Sequence, residues 1–327
     1  MSSASLVYYP DSNPGILRQR RGRGFSYIAP DGTRIDDQTE RARLQALAIP
    51  PAYNDVWIAP MGNAHLLATG RDARRRKQYR YHPDWTATRA QTKFEGLRDV
   101  GAHLPALRRW ISTHLQGDVG TLTTAVAAAL ALIDRAAMRP GNPGYTQDNG
   151  THGALTLEQR HVTTHSGDTI RLAYRAKGGK QVEKVLHGAR LAHVLHRAAD
   201  LPGPGLFDVP QGDGGTTTLR SEHIQEVLTD IGGDTITPKS LRTWAGTRAA
   251  FQVARATPDH LQVTDMAQAA AEQLHNTPTI ARNSYIHPDV IALATDPDAA
   301  HAAARLSDAG PGELRRDEAA LCRFLDS

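Results

Sequence analysis

The chain has 327 residues, a formal net charge of +4 and a single cysteine. This length favours two domains over one, and one cysteine excludes an internal disulfide and a cysteine-ligated metal cluster. The longest apolar run, residues 125–133, is too short to span a bilayer, and the first residues lack the basic and apolar segments of a signal peptide, so we expect a cytoplasmic protein without membrane contact.

The first part of the chain is predicted to consist of strands joined by turns. Segments such as "FSYIAPDGTRI" and "DVWIAPMGNAHLLATG" place turn residues between β-rich runs, and "KQYRYHP" adds an aromatic strand. A helix near residues 36–48 ends before Pro50-Pro51. We therefore predict a small β-rich domain over residues 1–86.

Beyond Pro83 the apolar spacing becomes helical, with breaks expected at Gly101, Pro105 and Pro140-Gly141. A second group of strands, over residues 154–186, predicts a three-stranded antiparallel meander. The predicted fold class is therefore α+β, with a larger, mainly α-helical domain over residues 87–327 that carries the small sheet.

Several basic residues of the second domain occupy positions that favour anion binding. Arg139 follows a long apolar helix, and Lys177 lies at the tip of the hairpin "YRAKGGKQ". Thr237-Pro238 begins a helix that places Lys239 and Arg242 one turn apart on one face. Taken alone, each position also fits a solvated charge or a cation at a helix end.

The segment "HNTPTIARNSYIHP" begins a further helix at Thr277-Pro278 and places Tyr285 about two turns later. In order, the chain thus contains an arginine, a hairpin lysine, Lys-x-x-Arg, a polar residue before Thr-Pro, and a tyrosine. This ordered set resembles the type IB DNA topoisomerases, specifically their small bacterial and poxvirus-like branch. Residues 49–85 also look like the amino-terminal DNA-contact segment of that branch.

The resemblance implies a catalytic role for each member of the set. Tyr285 would be the nucleophile, Arg139 and Arg242 would bind the scissile phosphate, and Lys177 would be the general acid. Aligning on Thr-Pro puts Asn276 in the place where family members usually carry a histidine, and an amide can still donate a hydrogen bond to a phosphate oxygen. The neighbouring His275 is an alternative occupant of that place.

The composition makes the lysine notable. Only six of the 38 basic residues are lysines, and a lysine can release a proton in ordinary chemistry whereas an arginine cannot. A lysine at the hairpin tip is therefore a suitable donor for a leaving oxygen.

The segment "RDARRRKQYRYH" mixes cations with polar and aromatic side chains, as expected of a surface that contacts a DNA groove. A basic surface strand without function is the alternative. We expect DNA contacts from Arg76, Lys77, Gln78, Tyr79, Tyr81 and Lys239. With one short link between them, the two domains could close around a duplex as a clamp.

The expected activity is relaxation of supercoiled double-stranded DNA through a transient 3′-phosphotyrosine, strand rotation and religation. The sequence shows no nucleotide-binding motif and no carboxylate cluster for magnesium, so we expect neither a cofactor nor a metal. We also expect a monomer that associates with the nucleoid. A tyrosine recombinase is one alternative, although that class typically has a histidine where this chain has Lys239. A basic DNA-binding protein without catalysis is the other.

Overall fold

The computed structural model describes residues 5–22, 24–165, 167–211 and 214–326. Its first part is a five-stranded antiparallel sheet with the strand order β2-β1-β3-β4-β5. The strands are β1 (Ile16–Arg21), β2 (Gly24–Ile28), β3 (Asn54–Ile58), β4 (Leu66–Arg71) and β5 (Lys77–Tyr81), and helix α1 (Gln38–Ala46) lies between β2 and β3 in the chain.

Apolar residues from the sheet and from α1 form the core of this first part. Ile16, Val56 and Ile58 of the strands pack in one cluster with Leu44 of α1. The side chain of Asp37 caps α1 by accepting a hydrogen bond from the backbone of Glu40 at 2.7 Å. The predicted β-rich segment is therefore present.

The rest of the chain is mainly helical. Its helices are α2 (Pro83–Glu95), α3 (Leu97–His114), α4 (Leu122–Ala136), α5 (Pro143–Asn149), α6 (Ala189–Ala199), α7 (Ser221–Gly232), α8 (Pro238–Ala256), α9 (Val263–Leu274), α10 (Pro278–Tyr285), α11 (Pro288–Ala292), α12 (Pro297–Arg305) and α13 (Glu318–Asp326). Strands β6 (Val162–His165), β7 (Thr169–Arg175) and β8 (Gln181–His187) form a three-stranded antiparallel sheet, and β9 (Asp208–Pro210) pairs with β10 (Thr216–Thr218). The predicted α+β class, including its small three-stranded sheet, is confirmed.

Helix α4 lies at the centre of the helical part. Almost all of its residues are buried, as expected for a helix whose side chains are mostly apolar on every face. The left-handed residue Ala137 (φ 49°, ψ 36°) ends it. The chain then continues to Arg139 in an irregular conformation.

The helix breaks predicted at Gly101 and Pro105 are wrong, because α3 runs without interruption through both positions. Burial of Leu104 and Leu107 against the core outweighs the local cost of proline. Gly101 is needed for packing, since a Cβ there would lie 2.5 Å from the ring of Trp244. The break at Pro140-Gly141 is present.

The chain divides into two units, Met1–Thr92 and Lys93–Ser327, with the division inside α2. In the described residues, no helix has the length and apolar character needed to cross a bilayer.

Candidate active site

Two helix ends bring Arg139 and Asn276 together. Arg139 follows the end of α4, and Asn276 follows the end of α9, where His275 adopts a left-handed conformation (φ 51°, ψ 45°). Arg139 Nη2 donates a hydrogen bond of 2.7 Å to Asn276 Oδ1. Both side chains are half-buried.

Arg242, on α8, is only 4% exposed. Its guanidinium donates to the backbone oxygens of Ala137 and Leu274, the latter at 3.2 Å, while Nε has no hydrogen-bond partner among the described residues. Burial, followed by the charge of Arg139, lowers the pKa of Arg242 to about 10, so the group remains cationic at neutral pH. Two arginines therefore place positive charge at the junction of α4, α8 and α9.

Tyr285 is the last residue of α10 and adjoins Arg242. The Arg242 guanidinium carbon lies 5.5 Å from the centre of the Tyr285 ring. Helix α10 begins as predicted: the side chain of Thr277 accepts a hydrogen bond from the backbone of Ile280 at 3.3 Å, and Pro278 occupies the first turn. The phenol is thus carried to the cationic junction by a capped two-turn helix.

Helix α8 approaches the backbone of Tyr285 closely at Gly246. A Cβ at that position would lie 2.7 Å from the carbonyl oxygen of Tyr285. Beside it, Thr247 Oγ1 donates to the same oxygen at 3.2 Å and accepts from the backbone N–H of His287 at 3.1 Å. These contacts place the end of α10 against α8, and neither residue had been singled out from the sequence.

Asn276 and His275 both have a buried nitrogen without a partner. Asn276 Nδ2 and His275 Nε2 make no hydrogen bond with the described residues. Burial first, and then the charges of Lys184 and Arg242, lower the pKa of His275 to about 4, so its ring is neutral at physiological pH. The Asn276 amide therefore has an unused donor next to Arg139.

Lys177 lies at the exposed tip of the β7–β8 hairpin, where Gly178 and Gly179 have positive φ values of 82° and 77°. Its side chain forms no hydrogen bond or ion pair with the described residues. Tyr174, on β7 next to this tip, is close enough to the cluster for the charges of Arg242 and Arg139 to act on its buried phenol. Burial nevertheless raises the pKa of Tyr174, so this second tyrosine is a weaker acid than usual.

Lys239 and Arg242 lie one turn apart on α8, but their surroundings differ. Lys239, in the first turn of α8, is exposed, whereas Arg242 is buried against the ends of α4 and α9. Helix α8 packs so that Arg242 reaches the backbone oxygens of Ala137 and Leu274. The spacing of residues within one helix cannot predict such contacts with other segments. Lys239 remains available to a polyanion in solvent.

In the first unit, β5 presents two exposed aromatic rings. Tyr79 and Tyr81 are 52% and 44% exposed, and their rings stack at 6.0 Å with an interplanar angle of 8°. Lys77 Nζ lies 5.5 Å from the centre of the Tyr79 ring. Such rings beside cations suit contact with sugars and base edges.

Asp72 and Asp11 hold polar residues in β5 and just before it. Neither carboxylate was predicted from the sequence. Asp72 Oδ2 accepts from Arg76 Nε at 2.8 Å and from Gln78 Nε2 at 3.0 Å. Asp11 forms an ion pair with Lys77 at 2.5 Å. Mainly through the hydrogen bond from Arg76, the pKa of Asp72 falls to about 2, so Asp72 stays ionised near neutral pH.

No group of three or more His, Cys, Asp or Glu residues within the described ranges is arranged to hold a metal ion. The cluster beside Tyr285 consists of two guanidinium groups and one amide.

The exposed aromatic and basic strand, together with a cationic cluster beside a tyrosine, is typical of an α+β protein that acts on nucleic acid. The comparisons identify its family. Residues 24–72 match bacterial DNA topoisomerase IB, N-terminal domain, and residues 82–283 match eukaryotic DNA topoisomerase I, catalytic core. Because the second match covers more than half of the chain, the protein belongs to the type IB DNA topoisomerase family. The predicted resemblance, enzyme class and DNA substrate are therefore confirmed.

A viral relative matches over a similar length. The chain is 24% identical over 290 residues to DNA topoisomerase 1B of Acanthamoeba polyphaga mimivirus, which covers 83% of this chain and 85% of the viral protein.

Proposed function

We propose that this topoisomerase relaxes supercoiled duplex DNA by transferring one strand to Tyr285 and back, without ATP or a metal ion. The observation that carries this proposal is the meeting of Arg139, Asn276, Arg242 and Tyr285 where the ends of α4, α9 and α10 contact α8. Three of these groups can stabilise negative charge on a phosphate, and the fourth can attack it.

In the cleavage step, the phenolic oxygen of Tyr285 bonds to phosphorus as the bond from phosphorus to the 5′ oxygen breaks. The tyrosine proton is lost to solvent, and the leaving 5′ oxygen takes a proton from Lys177. The products are a 3′-phosphotyrosine and a free 5′ hydroxyl. Since one phosphoester replaces another, religation can follow by the reverse transfer without an energy source.

The residues of the site support different parts of this step. Arg139 and Arg242 neutralise the non-bridging oxygens, on which charge accumulates in the transition state. The unpartnered Nδ2 of Asn276 suits a hydrogen bond to one of them. The nearby cations can also stabilise the negative charge that develops on the phenolic oxygen of Tyr285 as it attacks phosphorus.

We assign Lys177 as the acid because arginine cannot serve as a proton donor. Its exposed position on a hairpin with two glycines fits a donor that engages the scissile site when duplex DNA is bound. The stacked tyrosines of β5, with Arg76, Lys77 and Gln78, are proposed to contact the duplex, and Lys239 to contact a phosphate. We also propose that the protein acts as a monomer within the nucleoid.

Incubation with supercoiled plasmid, in EDTA and without ATP, tests the proposal. The wild-type protein should relax the plasmid and form a covalent adduct with DNA, and Tyr285→Phe should do neither. Relaxation by the phenylalanine variant would remove Tyr285 from the nucleophile role. DNA binding without relaxation by the wild-type protein would mean that the chain is not a competent strand transferase.

A further inference from the structure

The ends of α4 and α9 are joined not only by the Arg139–Asn276 hydrogen bond but also by Lys184 on β8. Its Nζ donates to the backbone oxygen of Ala136 at 2.6 Å and to that of Gln273 at 2.7 Å. Ala136 is the last residue of α4, and Gln273 is next to last in α9. The lysine therefore joins segments that are far apart in sequence.

Arg242 makes the same kind of bridge one residue further along each helix. It donates to the oxygens of Ala137 and Leu274. Two cations thus bind consecutive carbonyl oxygens at the ends of both helices. The final carbonyls of a helix lack partners within it and carry the negative end of its dipole, so cations there are favourable.

Both helices end with a residue in the left-handed conformation, Ala137 in α4 and His275 in α9. This conformation costs a non-glycine residue about 1–2 kcal/mol and persists only where surrounding contacts enforce it. The bridged carbonyls belong to these last turns or to the left-handed residue itself. The chain then reaches Arg139 on one side and Asn276 on the other, which hydrogen-bond to each other.

We infer that Lys184 is a positioning residue of the cleavage reaction: it sets the spacing of the α4 and α9 ends and thereby holds Arg139 and Asn276 in register around the scissile phosphate. This inference rests on the proposed function. The positioning role of Lys184 differs from the role of Lys177. Lys184 Nζ donates to two backbone oxygens, whereas Lys177 is proposed to give a proton to the leaving oxygen.

The surroundings of Lys184 agree with this role. Burial, with a smaller contribution from the charge of Arg242, lowers its pKa to about 8. Carbonyl partners compensate a partly buried ammonium group, which is otherwise costly to remove from water. A cavity of about 650 Å³ adjoins Lys184 and His275, so a methionine at position 184 has room to adopt a relaxed conformation.

The test compares Lys184→Met with the wild-type protein in single-turnover cleavage of a duplex. One substrate has the ordinary 5′ oxygen and the other a 5′-bridging sulfur at the site that the wild-type protein cleaves. Because misplacement of a catalytic group by about 1 Å can cost about 100-fold, we expect a loss of that order, equal on the two substrates. DNA affinity should stay within about twofold, as for a change that touches no DNA contact.

A double-mutant cycle distinguishes positioning from a general loss of stability. In an Asn276→Ala background, one of the groups that Lys184 positions is already gone, so Lys184→Met should cost at least about tenfold less than in the wild-type background. Arg171→Met, which removes an exposed cation from the neighbouring strand β7, is the matched control and should stay within about twofold of the wild-type rate.

Three results would overturn the inference: an unchanged cleavage rate, a loss confined to the oxygen substrate, or the same fold-loss in both backgrounds. Where Lys184→Met is too unstable to assay, Lys184→Gln keeps an N–H donor, and an equal loss on both substrates is again expected. The proposed function is checked separately, because it fails if the wild-type protein forms no Tyr285 adduct, whereas this inference fails if the adduct forms equally fast in both proteins.

Discussion

Arg139 donates a hydrogen bond of 2.7 Å to the side-chain oxygen of Asn276, a residue 137 positions later in the chain. The bond fixes the orientation of the amide, because an oxygen that accepts from arginine leaves the NH₂ group to face the other way. That group is buried and has no partner among the described residues. Asn276 is therefore a donor whose direction the arginine determines.

The first prediction concerns Asn276. Asn276→Ala removes both the partner of Arg139 and the free donor, and the loss of one oxyanion donor typically costs about 100–1,000-fold in rate. Cleavage rate constants on a labelled duplex would measure this. Asn276→His should preserve relaxation, since an imidazole can also donate to a phosphate oxygen. Complete inactivation by histidine would indicate that Asn276 does not occupy the place of the family histidine.

The second prediction concerns proton donation by Lys177. Lys177→Ala should slow cleavage of the ordinary substrate by about 100–10,000-fold, the usual contribution of general acid catalysis. A 5′-bridging sulfur needs no proton to leave, so the same variant should cleave that substrate nearly normally. Lys180→Ala, also exposed on this hairpin, serves as the control. Equal losses on both substrates would argue against a general acid at position 177.

The third prediction concerns the packing of α8 against Tyr285. Alanine in place of glycine usually stabilises a helix by up to about 1 kcal/mol. At position 246, however, the new Cβ would lie 2.7 Å from Tyr285 O and 2.9 Å from Leu274 Cδ1. We expect Gly246→Ala to lower the free energy of unfolding by about 1–3 kcal/mol and to slow cleavage, because Tyr285 must move.

Gly96→Ala is the matched control for this substitution. Among the described residues, no heavy atom lies within 4 Å of a Cβ at Gly96, at the start of α3, and its φ of −79° suits alanine. It should leave thermal unfolding and cleavage near wild type. If Gly246→Ala behaved in the same way, the close approach would be without consequence.

The fourth prediction concerns Asp72, which holds Gln78 and Arg76 in place. If Gln78 contacts a base, Asp72→Asn should weaken discrimination between DNA sequences by about 1–3 kcal/mol, the value of one good base contact. Binding to random DNA should not weaken, because a negative charge has been removed. Competition binding at fixed salt concentration measures both effects.

Asp55→Asn removes an equally negative but exposed carboxylate from the same unit. It should alter random binding without altering discrimination. Identical behaviour of the two variants would show that charge alone, and not the placement of Gln78, explains the effect of Asp72.

The fifth prediction concerns pH. The pKa of His275 is lowered to about 4 in the folded protein, below the value of about 6.5 for an unfolded chain. As the pH falls from about 6.5 to 4, the unfolded state binds the proton first, so this residue decreases stability in that range. Burial also lowers the pKa values of His161 and His287, which act in the same direction.

His275→Asn should make the free energy of unfolding less dependent on pH between about 4 and 6.5. Asparagine tolerates the left-handed backbone at this position, so the substitution should cause little strain. Urea unfolding of both proteins across this range measures the difference. An unchanged pH dependence would mean that folding does not lower the pKa of His275.

Much of the fold could be predicted from local patterns. Alternation identified the strands, and Thr-Pro pairs located the starts of α8 and α10, because capping and proline geometry act within a few residues. The interruption expected at Pro105 was wrong because burial of distant side chains outweighs local propensity. Four of the five proposed catalytic residues also adjoin one another as the ordered motif suggested.

By itself, the sequence determined which residue types occur, in what order, and where most helices and strands begin, and these were enough to indicate a type IB topoisomerase. Only the tertiary structure decided that Arg242 is buried and Lys239 exposed, that Asp72 holds Gln78, and that Lys184 joins the ends of α4 and α9. Arg242, Gln78 and Lys184 are each held by hydrogen bonds to groups distant in the chain or brought close by a turn, and the bonds of Arg242 and Lys184 go to backbone oxygens. Every residue has such an oxygen, so no side-chain pattern reveals which ones a cation will bind.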